Sequence, residues 1–246
     1  MSMTYFQGFV IPVPQENKEA YRTMAKEAAP FFTEYGSGRI VEGWGEDVPR
    51  GKTTDLYGAV SAEGDENVVF SWIEWDSEAI CQQAHDAMMK DERMKMPPEM
   101  PFDGKRMVFA GFDILGESGD GGETGYFQGY VAPAPKENRS AFADLCAMMR
   151  EVAIDSGALR AVDAWADDIA DGEVTDFKRA VKAEDGEAIA FGFVEWASKE
   201  AFEAGKAAMQ ADDRMPKPGT EMPFDGLRLI YGGFSVLLDT SQRSDG

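Results

Sequence analysis

The chain has 246 residues, of which 45 are acidic and 24 basic, for a formal net charge of −21. Such a surface repels phosphate backbones, and no Lys/Arg cluster offers a basic stripe, so nucleic acid is not an expected partner. Hydrophobic residues make up 43% of the chain, enough for a real core, yet no apolar run approaches the ~20 residues of a membrane helix. The opening "MSMTYFQGFVIPVPQENKEAY" lacks the basic and apolar regions of a secretory signal, so a cytoplasmic location is expected.

Residues 5–11 read as a strand bounded by Pro12 and Pro14. Residues 15–35 then take helical spacing, with Tyr21, Met24, Ala28, Phe31 and Tyr35 on one face, Pro30 as an expected kink and Gly36 as a C-cap. "GRIVEGW" is a second strand, "TDLYGAV" a single helical turn and "NVVFSWIEW" the strongest strand signal. Ser77 is placed to cap a helix reaching about residue 90. After a loop with a tight turn at Asp103-Gly104, "KRMVFAGFDIL" is the last strand.

The series then repeats. "TYFQGFVIPVPQEN" returns as "GYFQGYVAPAPKEN", so that Tyr5 recurs as Tyr126, and the spacing holds without a gap for about 90 residues. "YFQG" matches the end of a common protease-tag site, but a cloning remnant would not bring so much chain with it; the motif belongs to an internal duplication. Phe142, Leu145, Met149 and Val152 restate the first helix face, and Gly157 restates its C-cap.

The order β-α-β-β-α-β is that of a ferredoxin-like unit, here occurring twice in an α+β chain. The expected organisation is repeat 1 over 1–115, a flexible Gly/acidic linker over 116–125, repeat 2 over 126–238 and a disordered tail over 239–246. Two helices on one face of a four-stranded sheet leave the other face bare, and packing the two bare faces together covers both. One chain would then form the pseudo-dimer that two copies otherwise make, with further homo-oligomerisation left open.

"GFVIPVPQENKEAY", "VEGWGEDVPRGKTTD", "VVFSWIEW" and "DERM…MPFDGKRMVFAGF" together resemble the bacterial YbaA-like family, the domain of unknown function numbered 1428. The resemblance covers both repeats and implies the dimeric α/β-barrel fold. It implies no activity, because that superfamily includes monooxygenases, isomerase-like enzymes, haem-using enzymes and barrels without known chemistry. The first strand of the family often carries Asp where this chain has Gln7 and Gln128.

No GxGxxG or phosphate-loop pattern is present, and no cofactor or metal is expected. The single histidine, His85, faces Lys206 in the duplicated alignment, which excludes a twice-built histidine site; on a helix among polar residues it reads as a surface group. Cys81 and Cys146 read as small buried hydrophobes, and the 14 methionines as gap-fillers.

The polar residues retained inside strands of both repeats are the candidates for chemistry. Alternation puts Trp72 and Glu74 on one face of their strand, and Tyr5, Gln7 and Phe9 on one face of theirs. Because Gly8 and Ser71 are small enough to suit close helix packing, Gln7, Trp72 and Glu74 are expected to face the sheet–sheet interior; Gln128 and Glu195 are the second-repeat counterparts of Gln7 and Glu74. Glu42 with Trp44, and Asp163 with Trp165, form acid–indole pairs on the second strand. An acid beside indoles can have a raised pKa and act as a base, whereas the structural reading pairs Glu74 with Arg106. Arg106 and Arg228 serve either salt bridges around the "PFDG" loops or a carboxylate at a pocket mouth. Two functions follow from these alternatives. One is a Trp/acid-lined pocket in each repeat binding, or converting without a cofactor, a small partly apolar molecule; the other is a non-catalytic barrel acting through assembly.

Overall fold

The computed structural model describes residues 5–94, 99–217 and 219–241. The first repeat runs β1 (Tyr5–Pro14), α1 (Lys18–Glu34), β2 (Ile40–Asp47), α2 (Leu56–Ala59), β3 (Glu66–Trp75), α3 (Glu78–Met88) and β4 (Val108–Ser118). The second runs β5 (Tyr126–Pro135), α4 (Arg139–Asp155), β6 (Arg160–Ala166), α5 (Phe177–Ala180), β7 (Glu187–Trp196), α6 (Lys199–Ala211) and β8 (Ile230–Asp239). Local chemistry sets many of these boundaries. The Ser77 hydroxyl accepts from Ile80 N–H, and Ser198 does the same for Ala201 at the start of α6. Gly36 and Gly157 follow the long helices at φ +95° and +99°, a conformation costly for any residue with a Cβ. α1 continues through Pro30, whose ring lies on the exposed side, so the expected kink does not end the helix.

Within each repeat the first strand is central, in the orders β4-β1-β3-β2 and β8-β5-β7-β6. The two sheets then join edge to edge, β2 with β8 and β4 with β6, both antiparallel, to close an eight-stranded barrel. Face-to-face packing of bare sheets is thus only part of the solution: closure also pairs the backbone groups that the edge strands β2, β4, β6 and β8 would otherwise expose.

Aromatic rings fill the interior. Trp72 stacks on Phe193 at 3.8 Å between centroids, Phe70 on Phe191 at 4.7 Å, and Phe127 on Phe234 at 5.2 Å. One end is plugged by α2 and α5, tied reciprocally by Thr54 Oγ1 to the Ala180 carbonyl and Thr175 Oγ1 to the Ala59 carbonyl.

Two expectations change here. Gly8 faces the interior, where a Cβ would lie 2.6 Å from the Phe191 ring; it is small because of a residue in the other repeat and not because of a helix. Gln7 therefore points outward, beneath α3. The expected linker is also ordered in part. β4 extends to Ser118, Gly121 N–H bonds the Leu159 carbonyl, Gly125 N–H bonds the Trp196 carbonyl, and Thr124 is buried. β8 reaches Asp239, and residues 242–246 of the expected tail lie outside the described residues. No helix among the described residues is long and apolar enough to cross a membrane.

Candidate functional site: two clefts beneath the long helices

The barrel end opposite α2 and α5 carries the repeated strand glutamates. Glu74 accepts from Arg160 Nη1 at 2.6 Å, and Glu195, fully buried, accepts from Arg39 Nη1 and Nη2 at 3.0 and 2.6 Å. Each arginine holds a second acid from the end of a last strand: Arg160 bonds Glu117 and Arg39 bonds Asp239, each at 2.6 Å. Burial raises the pKa of Asp239, but Arg39 outweighs that and holds it below its ordinary value. Every one of these principal pairs joins one repeat to the other. Glu74 is therefore paired, but with Arg160 and not with Arg106. Arg106 instead bonds Glu66 and Asp103, and Arg228 bonds Glu187 and Asp225, which ties each "PFDG" loop to the start of β3 or β7.

Two largely apolar clefts lie elsewhere, between the outer sheet face and the long helix of each repeat. In repeat 1 a cleft of about 540 Å³ is walled by Phe9, Met24, Phe32, Met100, Phe102 and Met107, with Glu42 on its floor. β2 presents Glu42 outward because Gly43, its neighbour in the alternation, takes the inward position against the Phe127 ring. The Tyr21 hydroxyl of α1 donates to Glu42 at 2.8 Å, and Ser71 of β3 supplies a second hydrogen bond. Burial outweighs these bonds and pushes the Glu42 carboxyl up to about 7, with no cation among the contributing groups. The same burial, with Glu42 alongside, pushes the Tyr21 hydroxyl well above its ordinary value. Arg93 lies at the wall, but Asp91 and Glu34 occupy it.

The repeat-2 cleft is smaller, about 260 Å³, and differently charged. Asp163 takes the place of Glu42, Phe142 that of Tyr21, and Tyr130 that of Phe9. The Tyr130 hydroxyl donates to Asp163 at 2.5 Å, and Arg150, at the position of Ala29, bonds the other carboxylate oxygen. Gly192 stands where repeat 1 has Ser71, and a Cβ there would lie 2.4 Å from the Tyr130 ring. The acid–tyrosine pair is thus kept in both repeats, with the tyrosine moved from helix to strand and a cation added only in the second.

The sequence candidates divide accordingly. Glu42 lines the first cleft; Gln128 and Asp163 line the second. Trp72, Glu74 and Glu195 belong to the barrel interior and its ionic end. Trp44 and Trp165 pack on the outer face against their helices, Trp44 beneath the Lys18 ammonium and Trp165 beside Phe142. Gln7 hydrogen-bonds His85 at 3.0 Å, so His85 is partly buried against β1 instead of free on the surface. Tyr21, Ser71, Tyr130 and Arg150 are cleft residues that the alternation pattern did not single out. The reciprocal exchange Phe9/Tyr130 and Tyr21/Phe142, legible when the halves are aligned, was the signal for two of them.

The family model described as a protein of unknown function (DUF1428) matches residues 4–104 and again 125–226. The chain is 55% identical over 114 residues to the uncharacterised protein YbaA of Escherichia coli (strain K12), and equally to that of Shigella flexneri. Each match covers 46% of this chain and 97% of the relative, which therefore has the length of one repeat. Among solved structures, an anthrone oxidase-like protein superposes with a TM-score of 0.54 at 12% identity, covering 97% of this chain and 93% of that one; the likeness is one of fold.

Proposed function

The chain belongs to the DUF1428 family, and from that premise we propose that the repeat-1 cleft binds a small, largely apolar molecule and that Glu42 exchanges a proton with it. The observation that carries this reading is a carboxyl on the floor of an apolar cavity, bonded by two hydroxyls, with no cation partner among the described residues and ionising near neutrality. Such a group is half in its basic form at pH 7, where a general base is most effective. Tyr21 and Ser71 orient it, and the aromatic and methionine walls suit a planar ring system. The name of the solved neighbour refers to anthrone, an aromatic ketone with an acidic C–H, and a molecule of that chemistry suits the cleft.

In this reading the ionised Glu42 takes the proton from the acidic carbon or hydroxyl, and Tyr21 steadies the carboxyl in both states. The test is deuterium exchange into an enolisable aromatic ketone such as anthrone, followed by NMR in D₂O. The wild-type chain is expected to exceed the buffer rate, and Glu42→Gln to lower the protein-dependent part by about 10²-fold or more while the ketone still binds. Unchanged exchange in Glu42→Gln would leave the carboxyl with a packing role only. The filled barrel interior and its cross-repeat ion pairs favour the assembly reading for the barrel itself, not for the clefts.

A further inference from the structure

Gln7 and Gln128 hold the same place on β1 and β5, but only the first is engaged. Gln7 is buried; it hydrogen-bonds His85 at 3.0 Å, and its carbonyl accepts from the Cys81 thiol, both on α3. In repeat 2 those two positions hold Lys206 and Phe202 of α6. The Phe202 ring stacks on Tyr126 at 5.0 Å between centroids, and the Lys206 ammonium lies over the same ring, 5.5 Å from its centroid. Neither replaces the lost hydrogen bonds. The Gln128 side chain makes none among the described residues; the residue is only partly buried, and its amide atoms keep solvent contact.

That free amide borders two spaces at once. One is the repeat-2 cleft beneath α4, with apolar walls from Leu145, Met149 and Phe224. Its other polar groups, Tyr130, Asp163 and Arg150, are engaged with one another. The second space, about 420 Å³, lies toward α6 and is lined by Glu46, Asp47, Glu203 and Lys206. Tyr231, on the neighbouring strand β8 and 47% exposed, belongs to both walls as Gln128 does, so the apolar and polar spaces meet over these two residues.

The charges around the polar space are mixed. Lys199 bonds Glu46 at 3.0 Å and Asp47 at 2.7 Å, which leaves one carboxylate, Glu203, and one ammonium, Lys206. An anionic head would meet three carboxylates, and a cationic head two ammonium groups. A neutral polar head avoids both and costs less to take from water. A carboxamide also offers the donor and the acceptor that complement those of Gln128.

We propose that the joined spaces of repeat 2 form a binding site for a small amphipathic carboxamide, with its apolar body in the cleft beneath α4 and its amide on Gln128. The site is independent of Glu42 and of proton transfer in repeat 1.

The test is NMR titration of the full chain with hexanamide, hexanoate and hexylamine, which share a short apolar body and differ in the head. Hexanamide is expected to bind saturably in the millimolar range, as suits so small a ligand, and about fivefold or more tighter than either charged analogue. Gln128→Leu is expected to remove that preference. Lys206→His restores at an exposed position the residue that occupies the amide in repeat 1, and is expected to weaken hexanamide too; it decides the matter if Gln128→Leu fails to fold. Leu145→Trp fills the apolar space and is expected to weaken all three ligands, which assigns the binding to repeat 2. Equal affinity for the three heads, no saturable hexanamide binding at millimolar concentration, or hexanamide binding unchanged in Gln128→Leu or in Leu145→Trp would each overturn the proposal.

Discussion

At the scale of single residues, Glu42 has a consequence for stability that can be separated from any reaction. Its carboxyl ionises near 7 in the folded chain against an ordinary value of 4.5. Between those pH values the unfolded chain releases the proton while the folded chain keeps it. The contribution is therefore fully present below about 4.5 and lost as pH rises through 7, with an upper bound of about 3 kcal/mol. Glu42→Gln is expected to gain stability relative to wild type between pH 5 and pH 8, measured by urea unfolding at each pH; a constant difference would show that the carboxyl ionises normally. Glu195 has the opposite character. It is fully buried against Arg39, and Glu195→Gln leaves that charge short of a partner. A loss of about 3–5 kcal/mol is expected in the same assay, and a variant that melts like wild type would show the pair to be dispensable.

Among the elements, β1 and β5 show why "YFQG" occurs twice. Gly8 lies under the Phe191 ring and Gly129 under the Phe70 ring, so each glycine makes room for an aromatic residue contributed by the other repeat. β5 pairs with β7 on one side and β8 on the other over Tyr126–Val131. The stretch "ETGYFQG" fits the tobacco etch virus protease pattern, yet a protease needs its site extended and detached. For a strand with two neighbours, detachment approaches global unfolding. The native protein is expected to resist cleavage after Gln128 and the urea-denatured chain to be cut there. Rapid cutting of native protein would contradict the central position of β5.

For the molecule as a whole, closure depends on both repeats. The outer edges of β2 and β4 are paired by β8 and β6 of the other repeat, and Arg39 and Arg160 find their main acids across the same boundary. A single repeat has two unpaired edges, an apolar inner face and an unbalanced ionic end. Residues 1–118 expressed alone are therefore expected to associate into dimers in which one copy supplies what repeat 2 supplies here, as measured by sedimentation at micromolar concentration. A stable, soluble monomer would mean that a repeat can cover its own inner face. The E. coli and Shigella relatives, one repeat long, make this a question about chain number more than about fold.

The duplication, the βαββαβ order, the helix caps and the inward face of β3 that carries Trp72 and Glu74 were legible in the sequence, because spacing, capping and alternation are local and each occurs twice. The edge-to-edge closure was not, because hydrogen bonds between β2 and β8 or between β4 and β6 leave no local pattern. Alternation also groups residues by face without saying which face meets the helices. For Gln7 that choice was made by the Phe191 ring lying against Gly8, a contact between residues far apart in the chain. The clefts were half legible. Glu42 and Asp163 stood out as repeated strand acids, but their difference lies in what α1 and α4 bring to them, a tyrosine in one repeat and an arginine in the other. Only the packing of helix on sheet raises the Glu42 carboxyl, because desolvation depends on neighbours that the fold, and not the chain order, supplies.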